Sequence, residues 1–179
     1  MKPDLLITWI KHTDYPVFRQ ILKRHRDFFG KIIIYFSEHN RFPYFDHFIQ
    51  YAMQDLGNIL FLDPVLTDWS IEDWRNKSTN EMLKYSTSDW VCSVEQDYFA
   101  QDWDKLLSLT KEAMKSCDLF GHPAKPGSQP NQDYLKGEYV HPAYWFMRRE
   151  ALEKTTKNFG ASPSKGWDHF GFITEEALA

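Results

Sequence analysis

Two carboxylates two positions apart follow a short apolar run near the middle of the chain. The run, residues 90–94 (WVCSV), is typical of a buried strand, and Glu95 and Asp97 come directly after it. Because side chains alternate along an extended chain, both carboxylates point to the same side. Mg²⁺ and Mn²⁺ bind one or two carboxylates and complete their coordination with water and substrate phosphates. The spacing therefore fits a divalent metal site, and it equally fits a solvated turn whose acids cap a helix beginning near Asp102.

Polar residues also follow the other apolar runs of the first half. Runs rich in Ile and aromatic residues predict buried strands at 5–10, 31–36 and 58–63. The first is followed by Lys-His-Thr-Asp and the second by Ser-Glu-His-Asn. Ligands of an open parallel sheet bind at the carboxyl ends of its strands, so these positions are candidates for binding. The sequence has no GxGxxG and no GxxxxGK[ST] motif, which argues against the dinucleotide-binding and P-loop versions of such a sheet.

Helical patterns separate these strands. Apolar spacing predicts a first helix bounded by Pro16 and Gly30, a second that ends at Gly57, and a third that runs from a capping box at Ser70 towards Tyr85. Strands that alternate with helices are the pattern of a parallel sheet with right-handed crossovers. We therefore predict an α/β fold with a mostly parallel central sheet flanked by helices on both faces.

The second half of the chain continues with fewer elements. An apolar stripe predicts a helix from Trp103 to Cys117, followed by a short strand at 118–121. A strand that enters a helix is predicted at 140–152. The stretch 125–137 between them is rich in Pro, Gly and polar residues, which predicts a loop.

Length and composition limit the class of protein. A chain of 179 residues fits one domain, and 21 basic against 25 acidic residues give a net charge of −4, which makes nucleic acid a poor ligand. No run is long enough to span a membrane, and Asp4 interrupts any signal-peptide pattern, so we expect no transmembrane segment and a cytoplasmic location. The two cysteines, Cys92 and Cys117, are expected to be reduced core thiols. Aromatic residues make up 17% of the chain, enough to build a core and to line a cleft, and Tyr98 and Tyr144 near predicted strand ends are candidates for the cleft.

The segment that leads into the carboxylate pair resembles a known family. A helix carrying Asn80, a small-residue turn at 86–88, an apolar strand and then Glu95-Gln96-Asp97 are similar in order and spacing to the GT-A-type nucleotide-sugar glycosyltransferases, in particular family 2 with its DxD-type motif. The resemblance implies a GT-A-like fold in a single domain. Residues 1–100 would form its nucleotide-binding half and residues 101–179 its acceptor-side half.

The resemblance also implies roles for individual residues. Asp97, helped by Glu95, would hold Mn²⁺ or Mg²⁺ against the diphosphate of a nucleotide-sugar donor. Asp168 would be the base that deprotonates a carbohydrate or other hydroxyl acceptor in an inverting transfer, with His169 as second candidate. The donor itself would be bound by four residues, namely Thr8, Glu38, Asn80 and Gln96.

Other interpretations of these residues stay open. Asp168 could be a helix N-cap, because Asp is common before a helix. A nucleotidyltransferase could share the α/β sheet, although it would need a Gly-rich basic loop after the first strand, and Thr-Trp-Ile-Lys-His-Thr-Asp is not one. A non-catalytic module that binds glycan or protein is a third possibility, since the first motif position is Glu rather than Asp.

Overall fold

A computed structural model of the chain describes residues 2–9, 15–36, 54–62, 71–95, 98, 100–124, 139–159 and 171–178. The described strands are β1 (Asp4–Trp9), β2 (Ile32–Phe36), β3 (Ile59–Leu62), β4 (Trp90–Val94), β5 (Leu119–Ala124) and β6 (Tyr139–Arg148). The described α-helices are α1 (Tyr15–His25), α2 (Ile71–Leu83), α3 (Trp103–Ser116), α4 (Arg149–Glu153) and α5 (Gly171–Leu178). Two short 3₁₀ helices cover Arg26–Phe28 and Gln54–Leu56. Most of the second predicted helix lies outside the described residues.

The six strands form one sheet in the order β3-β2-β1-β4-β6-β5. The first four strands are parallel, with Leu5 beside Ile32 on one side and beside Cys92 on the other. β6 is antiparallel to both of its neighbours, β4 and β5. The prediction of an α/β fold with a mostly parallel sheet is confirmed.

Each face of the sheet carries its own apolar core. Alternation along β1 sends Leu5 to one face and Leu6 to the other, and both are buried. Leu22 of α1 and Leu107 of α3 pack on the first face. Three helices cover the opposite face, through Met82 of α2, Leu152 of α4 and Ile173 of α5. Helices therefore flank the sheet on both sides, as predicted.

A buried carboxylate joins the strands at the amino-terminal edge of the sheet. Asp4, the first residue of β1, is 3% exposed. Its carboxylate accepts four hydrogen bonds of 2.8 to 3.0 Å, from the main-chain N–H groups of Lys31, Thr87 and Ser88 and from the hydroxyl of Ser86. Burial alone would raise the pKa of Asp4, but these donors outweigh it and lower the pKa below the usual value. The charge thus fixes the turn through which the chain enters β4.

The first helix ends earlier than its sequence pattern predicts. The α-helix stops at His25, and the 3₁₀ turn that follows closes with a hydrogen bond from Phe29 N to Arg26 O. The Arg26 guanidinium donates to the main-chain oxygens of Leu56 and Gly57, so it joins this turn to the start of β3. Gly30 does not mark the end of a helix, as the sequence pattern predicts. A glycine is required there because a Cβ would lie 2.8 Å from a carboxylate oxygen of Asp4.

The two cysteines have different environments. Cys92 is buried in β4, as predicted, and burial raises the pKa of its thiol well above the ordinary value. Cys117 follows the last turn of α3 and is exposed, so its assignment to the core is wrong.

Candidate functional site

The candidate site lies where β1 and β4 end side by side. These parallel strands are neighbours in the sheet, and the strand order reverses between them, which is the position where α/β sheets bind ligands. Thr8 is near the carboxyl end of β1, and its hydroxyl lies 3.4 Å from the hydroxyl of Ser78. Ser78 is fully buried on α2. Thr8 therefore lies at the predicted edge and contacts the helix that covers it.

Glu95 lies at the same edge, directly after β4. Its N–H donates to the carbonyl of Ala143 in β6, and its carbonyl accepts from the N–H of Tyr98, both at 3.0 Å. One carboxylate oxygen, Oε1, is buried. The backbone of Glu95 is thus fixed on both sides, at the position that the sequence predicts for the first acid of the pair.

The donor chemistry at this edge fits a hard divalent cation. A carboxylate such as Glu95 is a preferred ligand of Mg²⁺ and Mn²⁺. Among the residues that the structure describes, no three His, Cys, Asp or Glu side chains come close enough to hold a metal ion by themselves. Asp97, the second acid of the predicted pair, lies outside the described residues.

Asn80 takes part in hydrogen bonds that the sequence pattern does not predict. Its amide nitrogen donates to the carbonyl of Lys157 at 3.0 Å and to the side-chain oxygen of Asn76 at 3.0 Å. The same Asn76 oxygen accepts from the N–H of Phe159, also at 3.0 Å. Lys157 itself has the left-handed φ of 57°. The two asparagines of α2 thereby hold the segment after α4 against α2.

The held segment also contacts the sheet. Phe159 is 3% exposed, and its ring stacks on Trp145 of β6 with 5.9 Å between the ring centroids. The chain continues from there towards Asp168. The sequence gives no signal for the hydrogen bond between Asn80 and Lys157, because the two residues are 77 positions apart.

Aromatic rings cluster beside Glu95. Tyr98 stacks on Tyr144 with 5.5 Å between the centroids, and it meets Trp103 and His122 edge-on at 6.0 and 5.9 Å. The sequence pattern suggests that Tyr98 and Tyr144 could line a sugar site. Tyr144 is instead fully buried, and its hydroxyl lies 2.7 Å from that of Thr110. Burial raises the pKa of both tyrosine hydroxyls.

The remaining predicted site residues lie outside the described part of the chain. They are Glu38, Gln96, Asp97, Asp168 and His169. The structure brings Thr8 and Glu95 to one edge and places Asn80 on the helix that covers it. The role of each of these residues in binding or catalysis stays a prediction.

Comparison with known proteins identifies the fold. No protein-family model matches the sequence, and no curated protein matches it. Among solved structures, TarS from S. aureus is 12% identical, with a TM-score of 0.63, over 99% of this chain and 33% of TarS. The mannosyltransferase PcManGT from Pyrobaculum calidifontis, in complex with GDP-Man and Mn²⁺, is 14% identical, with a TM-score of 0.56, over 94% of this chain and 54% of that one.

A third solved structure is similar over nearly the same part of the chain. It is CMP:2-keto-3-deoxy-manno-octonic acid synthetase complexed with CTP, which is 10% identical, with a TM-score of 0.52, over 91% of this chain and 80% of the other. The chain thus spans about a third of TarS and about half of the mannosyltransferase. At these identities the likeness shows the fold, which is GT-A-like. No helix in the described ranges is long and apolar enough to cross a membrane.

Proposed function

We propose that this chain is the catalytic domain of a GT-A-type glycosyltransferase, which transfers a sugar from a nucleoside-diphosphate sugar to an acceptor hydroxyl. The observation that carries the proposal is the position of Glu95, at the strand-order reversal of a GT-A-like sheet. The likeness to a mannosyltransferase in complex with GDP-Man and Mn²⁺ supports it.

The donor would lie across the carboxyl ends of β1 and β4. Thr8, with Ser78 behind it, would line the nucleotide pocket from β1. Glu38, Asn80 and Gln96 would complete it. Asp97 and Glu95 would hold Mn²⁺ or Mg²⁺, which when bound would neutralise charge on the diphosphate leaving group.

The acceptor would enter from the side of the second half of the chain. Asp168 would accept the proton of the acceptor hydroxyl, as an inverting displacement requires a base opposite the leaving group. The hydrogen bond from Phe159 N to Asn76 supports this arrangement, because it holds Phe159, nine residues before Asp168 in sequence, against the helix of the donor pocket.

Calorimetric titration with UDP and GDP tests the donor half of the proposal. Wild-type protein should bind one of them in the presence of Mn²⁺, and Asp97→Ala should abolish the metal-dependent part of the binding. Asp89→Ala is the matched control, because Asp89 precedes the same strand at its opposite end and is exposed. Binding of UDP or GDP that is unchanged in Asp97→Ala would contradict the assignment of the metal ligand.

The likeness to a CTP-bound synthetase favours a nucleotidyltransferase as the second candidate. Incubation with nucleotide sugars and Mn²⁺, and separately with CTP and a sugar acid, distinguishes the two reactions by their products. A glycosyltransferase releases nucleoside diphosphate slowly by hydrolysis of its donor, whereas a nucleotidyltransferase releases pyrophosphate. Saturable glycan binding with neither product would indicate a non-catalytic module.

A further inference from the structure

Tyr98 connects the predicted metal-binding turn to the rigid part of the sheet. Its N–H donates to the carbonyl of Glu95 at 3.0 Å, so its backbone is bonded to the first acid of the predicted pair. Its ring stacks on Tyr144 at 5.5 Å with an angle of 20° between the planes. Trp103 packs against the edge of the same ring. One residue thereby bonds to the turn through its backbone and to the core through its side chain.

The residues that contact the Tyr98 ring are themselves held in place by further contacts. Tyr144 is fully buried in β6, and its hydroxyl is hydrogen-bonded to Thr110 of α3 at 2.7 Å. The neighbouring residue of β6, Ala143, accepts the hydrogen bond from Glu95 N. Two consecutive residues of β6 therefore hold the two ends of the turn, Ala143 through the main chain and Tyr144 through its ring.

We propose that Tyr98 is a positioning residue for metal-dependent nucleotide binding, and that it acts by keeping Glu95 in the orientation that a divalent cation requires. The inference rests on the proposed function. A carboxylate binds a cation more tightly when it is held in place before binding, since otherwise its ordering opposes the binding. Without the ring, the turn keeps its hydrogen bond to Ala143 and loses its contact with Tyr144.

The test compares three variants by calorimetric titration with GDP and UDP, in Mn²⁺ and in EDTA. Tyr98→Ala should weaken nucleotide binding in Mn²⁺ about tenfold or more and leave the binding in EDTA unchanged. Tyr98→Phe keeps the stacked ring, so its affinity in Mn²⁺ should stay within about threefold of wild type. Tyr98→Leu should also weaken the binding in Mn²⁺, and it replaces Tyr98→Ala as the test if the alanine variant does not fold.

Phe28→Ala is the matched control for lost aromatic packing. Phe28 packs on the same core cluster, against Phe146, but it precedes β2 at the opposite edge of the sheet. This variant should lower the melting temperature and keep wild-type affinity in Mn²⁺. The inference is overturned if Tyr98→Ala binds as wild type does, or if Phe28→Ala loses as much affinity. Wild-type protein that binds neither nucleotide overturns the proposed function, and the inference with it.

Discussion

Replacing Asp4 by Asn tests whether the buried carboxylate at the amino-terminal edge stabilises the fold through its charge. The substitution keeps the shape of the side chain and one of its two oxygens. In the native protein, Oδ1 accepts from Lys31 N, and Oδ2 accepts from Ser86 Oγ, Thr87 N and Ser88 N. An amide oxygen can take the place of only one of these two oxygens, so the NH₂ group of the variant faces the donors that the other oxygen now serves.

The size of the effect follows from the loss of the charge and from the donors left facing the NH₂ group. A hydrogen bond to a charged group contributes about 1.5 to 3 kcal/mol, and a buried N–H left without an acceptor costs about 1 to 3 kcal/mol. These contributions are not additive, and the turn can shift to let water reach one of the donors. We therefore expect Asp4→Asn to lower the free energy of unfolding by about 3 to 5 kcal/mol at pH 7.

The dependence on pH gives a second, independent measurement. The pKa of Asp4 in the folded state is below its ordinary value of 3.8, so its contribution to stability is present above that value and is lost as the pH falls through the folded pKa. Asn does not titrate. The difference in unfolding free energy between wild type and variant should therefore be constant from pH 7 to pH 5 and shrink at about pH 3.

Urea unfolding of both proteins at pH 7, 5 and 3, monitored by tryptophan fluorescence, measures this difference. Asp118→Asn is the control, because Asp118 forms an ion pair with Arg148 while its side chain is 65% exposed. It should cost no more than about 1 kcal/mol. A loss below about 1 kcal/mol for Asp4→Asn at pH 7, or a difference that does not shrink at pH 3, would refute the reasoning.

Two further predictions concern the candidate site and the thiols. Asn80→Leu should lower the free energy of unfolding by about 2 kcal/mol, since the carbonyl of Lys157 loses its donor, and amide exchange at Phe159 should become faster. Unchanged exchange at Phe159 would contradict this role. A disulfide reagent should modify one thiol per native chain, because Cys117 is exposed and Cys92 is buried with a raised pKa. Cys117→Ser should then show no reactive thiol until it is unfolded.

Local sequence patterns predict which residues of this fold form strands. They do not predict which strands lie side by side in the sheet. The run at 90–94 coincides with β4, because its apolar residues are buried whichever strand lies beside it. The insertion of β6 between β4 and β5 has no such local signal, since it depends on contacts between segments far apart in sequence. The end of α1 is mispredicted for a similar reason, because Arg26 turns to carbonyls near Gly57 instead of continuing the helix.

The same holds for the candidate site, where features set by the local sequence could be predicted and features set by distant contacts could not. The position of Glu95 at the end of β4 follows from its sequence spacing and agrees with the structure. The internal hydrogen bonds of Asn80 could not be predicted, because Lys157 is 77 residues away. The burial of Tyr144 depends on α3, which supplies the partner of its hydroxyl, and an aromatic residue near a strand end gives no sign of such a partner.

The position of β6 in the sheet has a consequence for synthesis of the chain on the ribosome. β4 pairs with β1 on one side and with β6 on the other, and β6 ends 54 residues after β4, at Arg148. β5 is made earlier, but among the described strands it pairs with β6 and not with β4, so it does not cover β4. At about 5 to 20 residues per second, an apolar strand edge stays unpaired for some seconds while the chain is growing. Premature termination in this interval would leave that edge exposed, and such fragments would be prone to aggregate.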